Sequence, residues 1–581
     1  MASPIPPAHG NPRRFLLVFI LLLLTINLFI FLPSMSGDFL WDDKYFISEN
    51  PAVMGSGFLH DFWRSPFGGF SGTDENSLRL DCERQFYRPL TSLSYWLDFK
   101  IWGLNPAGFH LTNILLQTAN CLILLFLLMH IGLDSAASFM AALLFSVFPV
   151  HFENVAWISG RTDLLSFLFG AVSSLFFVLY LEKKRSVSLG LSVAFYLAGI
   201  LSKENILFLP ALFLVLLWRK KARTKELIAP SAAFSLSILI WLLLRRLAFG
   251  AVSFALSGRS LSDFLGAVGF YSARMVWPFD LSVSVDSDPV FRNEAYVGLG
   301  VLLIMLVMVS VLHVLDRRRR AFGPFFLSLA YFLLLLPSVA VVFSSLSISL
   351  LAWRFLYFPS VVFVIALSYI LLRKVKPRAI GHVFLGLLAI GYAAETYPKS
   401  RLFGRDEAGF WLGIKKVERE DLVAQFNIGV NTLPRNETRA LEIFDRILAR
   451  KEHPLYPFVS IRTYEELAIY FAFQRDFVKA EHWFDTLIRL RGGQSLHSTL
   501  NYSYYLAFSG RREEGERIIQ DLLARYPQNH DVLTRAAKFY LIVKDYAKAK
   551  ELYGKDYSLF RNEQTKRYLE ELQTLLGKKD P

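Results

Sequence analysis

Residues 13–33 read RRFLLVFILLLLTINLFIFLP. Two arginines stand before an apolar run, Phe15 to Leu32, of 18 residues. A helix of that length crosses the hydrocarbon core of a bilayer, about 30 Å thick. A secretory leader would be followed by a small-x-small cleavage pattern. None follows directly, so the run reads as a retained first helix. Further runs lie at about 109–131, 135–150, 163–181, 187–202, 205–218, 228–244, 296–315, 322–341, 355–372 and 379–394, which makes eleven candidate spans. The stretch 261–277 holds Asp263, Arg274 and Trp277 and reads as an interfacial or re-entrant helix. The composition agrees: 54% of the residues are hydrophobic, and Phe alone occurs 53 times, too apolar for an ordinary soluble chain.

Orientation follows from the basic residues of the short loops. With the N-terminus inside, Arg13 and Arg14 share the cytoplasmic side with Lys183-Lys184-Arg185, Arg219-Lys220-Lys221 with Arg223 and Lys225, Arg317 to Arg320, and Arg373-Lys374 with Lys376 and Arg378. That is 18 basic residues on one face. Much of the net charge of +14 is thereby a topology signal, and a nucleic-acid partner is not expected. Eleven crossings leave everything after residue 395 outside, together with the long loop 34–108. Cys121 lies in an apolar run and Cys82 in a polar loop, so no disulfide is expected.

Past Glu395 the long apolar runs stop. Small residues recur at Ala440, Ala480, Gly515 and Ala549, spaced 40, 35 and 34. Four residues after each stands Phe444, Phe484, Ile519 or Tyr553. The phrases RDFVKAEHWF, GRREEGERII and KDYAKAKELY superpose. This period predicts tetratricopeptide-like helix pairs, about four, stacked as a short solenoid. Such a surface binds peptide segments or serves as a scaffold. The expected organisation is a membrane domain over 1–395, a linker over 396–420 and a repeat domain over 421–581, in an all-α chain. Sequons stand at Asn436 and Asn501 and matter only in a secretory pathway.

Ionisable groups near membrane spans are costly, so those outside the basic loops need a reason. Here they gather on the outer face. The first outer loop carries ten acidic and six basic residues and opens with Asp42 and Asp43. That pair suits a general base, a divalent-metal ligand or a plain helix cap. Arg88 precedes Pro89, and His110 opens the second span. The turn after the third span holds His151, Glu153, Arg161 and Asp163. Lys203 and Glu204 separate the fifth and sixth spans, and Arg354 and Tyr357 stand at the mouth of the tenth. Basic residues at a bilayer surface hold a phosphate whose lipid tail stays in the membrane, and a nearby carboxylate deprotonates a hydroxyl. Together these parts suit sugar transfer from a polyprenyl-phosphate donor. There is no Gly-rich phosphate loop for a nucleotide sugar.

The segments FLWDDKYFISENPAV (39–53), YRPLTSLSYWLDFKIWGLNPAGFHLTN (87–113), FPVHFENVAWISGRTDLLS (148–166), LSKEN (201–205) and WRFLYFPS (353–360) stand in that order before the repeats. This resembles the transmembrane-and-tetratricopeptide glycosyltransferases, which are similar to the protein O-mannosyltransferases and belong to the GT-C class. The resemblance implies a dolichyl- or undecaprenyl-phosphate sugar donor and a hydroxyl acceptor, protein Ser/Thr, outside the cytoplasm. It makes Asp42 and Asp43 the catalytic carboxylates, or the ligands of a divalent ion (Mg or Mn) where one takes part. Arg161, Lys203 and Arg354 become donor-phosphate candidates. Arg88, His110, His151, Glu153, Asp163, Glu204 and Tyr357 line the substrate pocket. No oligosaccharyltransferase-type WWDYG motif is present, which favours hydroxyl over amide transfer. The short repeat array points to a bacterial inner membrane with periplasmic repeats; in a eukaryote the same sidedness means the lumen of the endoplasmic reticulum. Other readings stay open: an acceptor that is an envelope lipid or polysaccharide, a transporter or flippase, or a membrane anchor presenting a repeat scaffold. A transporter would show related halves with charges deep in mid-span, and an anchor would need only one span.

Overall fold

The computed structural model describes residues 12–48, 50–54, 86–249, 260–279, 281–282, 294–304, 324–343, 351–373, 375–414, 421–453, 456–491, 496–560 and 563–577. Every regular element among them is a helix. Cys82, Arg317 to Arg320 and Lys374 lie outside the described residues. The chain divides into two compact units, residues 1–43 with 87–410 and residues 44–86 with 411–581.

In the first unit the described helices fall on the expected apolar runs, but eleven spans are not confirmed. Among the described residues six helices are long and apolar enough to cross a membrane: Leu16–Ser36, Pro106–His130, Ile158–Lys183, Thr224–Ala248, Trp353–Arg373 and Arg378–Phe403. A seventh results if Ser135–Val147 and Pro149–Ala156, bent by 50°, form one broken span. Ser186–Ile200 and Phe325–Ala340 are apolar but shorter, and the described part of a further apolar helix is Glu294–Ile304. Helix starts are set by local chemistry. Asn105 accepts from Ala107 N at 3.2 Å ahead of Pro106, and Asp134 accepts from Ala137 N at 3.0 Å.

The outward faces of these helices are apolar. Leu236, Leu239 and Leu243 on one helix, and Val383, Leu387 and Ile390 on another, are exposed. Water would penalise each by roughly 25 cal/mol per Å² of apolar surface, whereas lipid does not.

The loops of this unit gather in two sets. His130 pairs with Glu182 at 3.3 Å, Lys184 with Glu226 at 3.1 Å and Arg373 with Asp134 at 2.9 Å. At the opposite ends of the same helices, Arg88 pairs with Glu204 at 2.7 Å, Arg161 with Asp98 at 2.6 Å and Lys203 with Asp163 at 2.8 Å. Asp163 and Glu182 stand on one helix, Arg161–Lys183. At 1.5 Å per residue they are about 28 Å apart, close to the thickness of a hydrocarbon core.

The second unit carries helix pairs Leu422–Thr432 with Glu437–Leu448, Tyr456–Phe473 with Phe477–Arg491, Leu496–Phe508 with Arg512–Arg525 and His530–Ile542 with Tyr546–Phe560, followed by Glu563–Gly577. The spaced residues Ala440, Ala480, Gly515 and Ala549 are buried, as are Phe444, Phe484, Ile519 and Tyr553. At Gly515 an added Cβ would stand 2.8 Å from Ser503 O and 2.9 Å from a Phe539 ring carbon. The small residue is what lets two helices meet there. Four residues before the small position comes the helix start. Asn436 caps Arg439 N at 3.0 Å, Asp476 caps Lys479 N at 3.2 Å and Asp545 caps Lys548 N at 3.1 Å. The sequon residue Asn436 is thus an N-cap, and Asn501 is buried with its amide donating to Glu465 at 2.9 Å.

Candidate functional site

The segment after the first helix docks on the turn 148–161. The Trp157 indole donates to Leu40 O at 3.4 Å, and the Trp157 and Trp41 rings meet edge-to-face at 5.5 Å. Trp41 has φ of 48°, the left-handed region that a bulky residue rarely enters. Such a conformation costs about 1–3 kcal/mol and persists only when packing imposes it. Here Trp157, Phe403 and Phe410 surround the ring. This strained residue aims the two carboxylates that follow.

The adjacent carboxylates have different environments. Asp43 is buried; it accepts from Leu40 N at 3.1 Å, from Ser159 N at 2.8 Å and from the Ser159 hydroxyl. Burial raises its pKa to about 7, against the pull of those hydrogen bonds. Asp42 is half-buried and, among the described residues, has no hydrogen bond or ion pair. Burial raises its pKa, and the charges of Arg354 and Arg88 oppose the rise. Asp43 therefore fastens the segment to the turn, and Asp42 has no such bonds among the described residues.

The turn is held tightly. A Cβ on Gly160 would lie 2.4 Å from Glu153 O and 2.6 Å from Asn154 O. The Asn113 amide donates to Trp157 O at 3.0 Å and Ile158 O at 3.2 Å. Arg161 lies beneath, 0% exposed, donating to Asn113 Oδ1 at 2.8 Å, Phe109 O at 2.8 Å, Ser94 O at 3.4 Å and the Asp98 carboxylate. Its guanidinium is spent on four acceptors inside the protein. Arg161 is a brace between helices, and the expectation that it holds a donor phosphate is corrected on that ground.

Of the other cations, Arg354 and Arg88 act on Asp42. Arg88 grips Glu204 with two bonds, Nη2 to Oε1 at 2.7 Å and Nε to Oε2 at 3.3 Å. Burial alone would raise the Glu204 carboxyl, but Arg88 and Lys203 hold it down at about 2. Lys203 Nζ donates to Asp163 at 2.8 Å, and Asn205 donates to the same carboxylate at 2.8 Å. Burial lowers the Lys203 pKa and Asp163 counters it. Arg354 is held most loosely. Its Nη1 is 3.6 Å from Glu153 Oε2, too long for a hydrogen bond. Its side chain keeps 21% exposure and lies 5.3 Å from the Trp157 ring centre and 5.2 Å from that of Phe355. Glu153 is instead engaged by Arg354 N at 3.0 Å. Of the charged groups gathered here, Asp42 and Arg354 have the most unspent capacity.

Tyr357, His151 and His110 are brought close but lie inside the bundle. The Tyr357 hydroxyl donates to Gln117 Oε1 and accepts from Asn120 at 2.9 Å, and His151 Nε2 meets the Ser360 hydroxyl at 2.9 Å. His110 is fully buried on the helix Pro106–His130. These three shape the core under the site.

Residues 89–248 match the family model for dolichyl-phosphate-mannose-protein mannosyltransferases. That match contains Arg161, the Asp163–Lys203 pair and the turn between them and the first outer loop. The membrane part of this chain is similar to the protein O-mannosyltransferases. A protein O-mannosyl-transferase of Caenorhabditis elegans is 30% identical over 194 residues, which are 33% of this chain and 27% of that protein. Human protein O-mannosyl-transferase TMTC4 is 34% identical over 165 residues, 26% of this chain and 22% of the relative. Human TMTC2 is 35% identical over 159 residues, 26% and 18% of the two chains. The matched part spans about a quarter of these relatives' length. A solved tetratricopeptide-repeat domain overlaps 70% of this chain at 11% identity and a TM-score of 0.19, too slight a likeness to argue from.

Sequence reasoning passed over Arg245. It is buried at the end of the helix Thr224–Phe249, over the Trp241 ring at 5.6 Å, and in the field of Glu204 and Arg88. A signal was present: Arg245 and Arg246 close the apolar run 228–244. A basic residue buried at the end of an apolar helix asks for a partner. For a divalent ion the donor set falls short. Both Asp43 oxygens are engaged, and among the described residues no three His, Cys, Asp or Glu side chains gather to hold a metal.

Proposed function

We propose that this chain is an integral-membrane glycosyltransferase that moves a sugar from a polyprenyl-phosphate donor to a protein hydroxyl on the non-cytoplasmic side. The observation that carries the reading is the unencumbered Asp42 carboxylate facing Arg354 and Arg88. In this scheme Asp42 accepts the proton of the acceptor hydroxyl as its oxygen bonds to the anomeric carbon. The bond from that carbon to the phosphate oxygen breaks, and the polyprenyl phosphate leaves with the added negative charge. Arg354 meets that charge first, with Arg88 and Lys203 behind it. Asp42 then returns its proton to solvent.

Protein as acceptor is supported by the relatives, which are named protein O-mannosyl-transferases. The lipid-linked donor is supported by the matching family's description and by the apolar exterior beside the cations. The outward side is supported by the 18 cations of the opposite loops. A bacterial inner membrane with periplasmic repeats fits these facts, as does the endoplasmic reticulum with lumenal repeats.

The test is transfer by the purified chain from a polyprenyl-phosphate hexose to Ser/Thr peptides, read by mass spectrometry. Asp42→Asn is expected to slow transfer about a hundred- to ten-thousand-fold, the usual contribution of a general base, with the unfolding midpoint kept. Asp43→Asn is expected to lower the midpoint as well. Wild-type transfer rates in Asp42→Asn sink the assignment.

A further inference from the structure

The second unit holds a groove of about 930 Å³ whose lining includes Arg435, Arg439, Arg446 and Arg450. Arg439 and Arg446 stand on the helix Glu437–Leu448, and the other two flank its ends. The seven-residue spacing keeps Arg439 and Arg446 on one helix face, and the helix between the flanking Arg435 and Arg450 has 12 residues, about 18 Å in length. Among the described residues no acidic side chain lines the groove, although Glu437, Glu442 and Asp445 share the helix. Glu437 is turned to the hydroxyl of Tyr470, which donates at 3.0 Å. Trp411 and Ile428, from outside that helix, give the groove an apolar wall, and Ile443 stands on the arginine helix itself.

The later repeats treat their cations differently. Arg511 pairs with Glu481 at 2.6 Å and Glu514 at 2.8 Å, Lys548 with Glu516 at 2.8 Å and Arg525 with Asp521 at 2.9 Å. Arg439, Arg446 and Arg450 have no ion pair among the described residues. Unpaired cations crowded along one groove repel one another, a cost that an anionic occupant removes.

We propose that this groove binds an acidic peptide segment in extended form. About five or six residues at 3.3 Å each match the length of the arginine helix, with carboxylates meeting the guanidiniums and alternate side chains on the apolar wall. A planar bilayer fits less well, because the arginines line a recess with an apolar wall rather than a flat face. The inference deepens the proposed function: it rests on that reading only for the claim that the acceptor protein carries the acidic segment.

The experiment uses the full chain in nanodiscs of zwitterionic lipid and the fluorescence anisotropy of a labelled Glu/Asp-rich peptide of about eight residues. Binding is expected, with affinity falling about tenfold in Arg439→Glu/Arg446→Glu, falling less in Arg439→Gln/Arg446→Gln, and unchanged in Arg525→Glu. Raised salt is expected to weaken it. Four results overturn the inference: no binding, equal binding by the double Glu variant at an unchanged unfolding midpoint, equal binding of a Gln/Asn version of the peptide, or loss of peptide binding when phosphatidylglycerol is added to the disc. Binding is read without any transfer, so failure of the groove and failure of the Asp42 site are separate results.

Discussion

In the membrane unit the interior of the helices Pro106–His130 and Arg161–Lys183 holds Asn113, Gln117, Asn120, Arg161 and Asp163, while leucines and valines of other helices face outward. In the repeat unit Ala440, Phe444, Ala480 and Phe484 fill the interior, Glu465 and Asp556 are buried exceptions, and many other charged residues face outward in pairs such as Arg525 with Asp521. One chain thus builds two cores by opposite rules, because the two solvents reward opposite surfaces. Where lipid surrounds the helices, burial of apolar groups drives little, and polar contacts and close packing specify the arrangement. Where water surrounds them, apolar burial dominates and surface ion pairs add about 1 kcal/mol or less.

The largest expected effect breaks the polar interior. Arg161→Ala leaves the Asp98 carboxylate buried without its partner, at a cost of about 3–5 kcal/mol. Thermal unfolding in detergent is expected to show that loss, with partial recovery in Arg161→Ala/Asp98→Ala. A loss as small as that of Arg525→Ala on the repeat surface would mean the contrast is wrong. Next comes the apolar interior. Gly515→Val forces a side chain against Ser503 O and Phe539 and is expected to cost about 1–3 kcal/mol. The repeat unit should lose hydrogen-exchange protection while the membrane unit keeps it; an unchanged repeat unit would show that the third small position is not a close approach.

The smallest effect is in pH. Asp43 is raised to about 7 by burial, so its protonated form is the one favoured by folding. Its contribution is full below the unfolded pKa of about 4 and is lost as pH rises through about 7. Glu514 and Glu516 are lowered by their hydrogen bonds to Arg511 and Lys548, so their contribution is present above the unfolded pKa of about 4.3 and lost as pH falls. Hydrogen exchange across pH 4 to 8 is expected to loosen the segment around Asp43 towards alkali and the third and fourth repeats towards acid. Drift of both in the same direction would remove the electrostatic half of the comparison.

The sequence alone determined what depends on neighbours along the chain. Apolar runs, basic loops and a period near 34 residues are local statistics, and they were enough for the all-α class, the helix pairs with their small residues, and the set of charged residues to watch. Tertiary structure decided what depends on pairing. Asp42 and Asp43 are indistinguishable in sequence, and only the contact with Ser159, 116 residues away, spends one and spares the other. Arg161 and Arg354 are both arginines at outer turns, yet one is enclosed by four acceptors and the other is loosely held. Arg245 joins the site through space alone. The physical reason is range: helix formation is fixed within a few residues, whereas the availability of a charge depends on which distant groups have already claimed it.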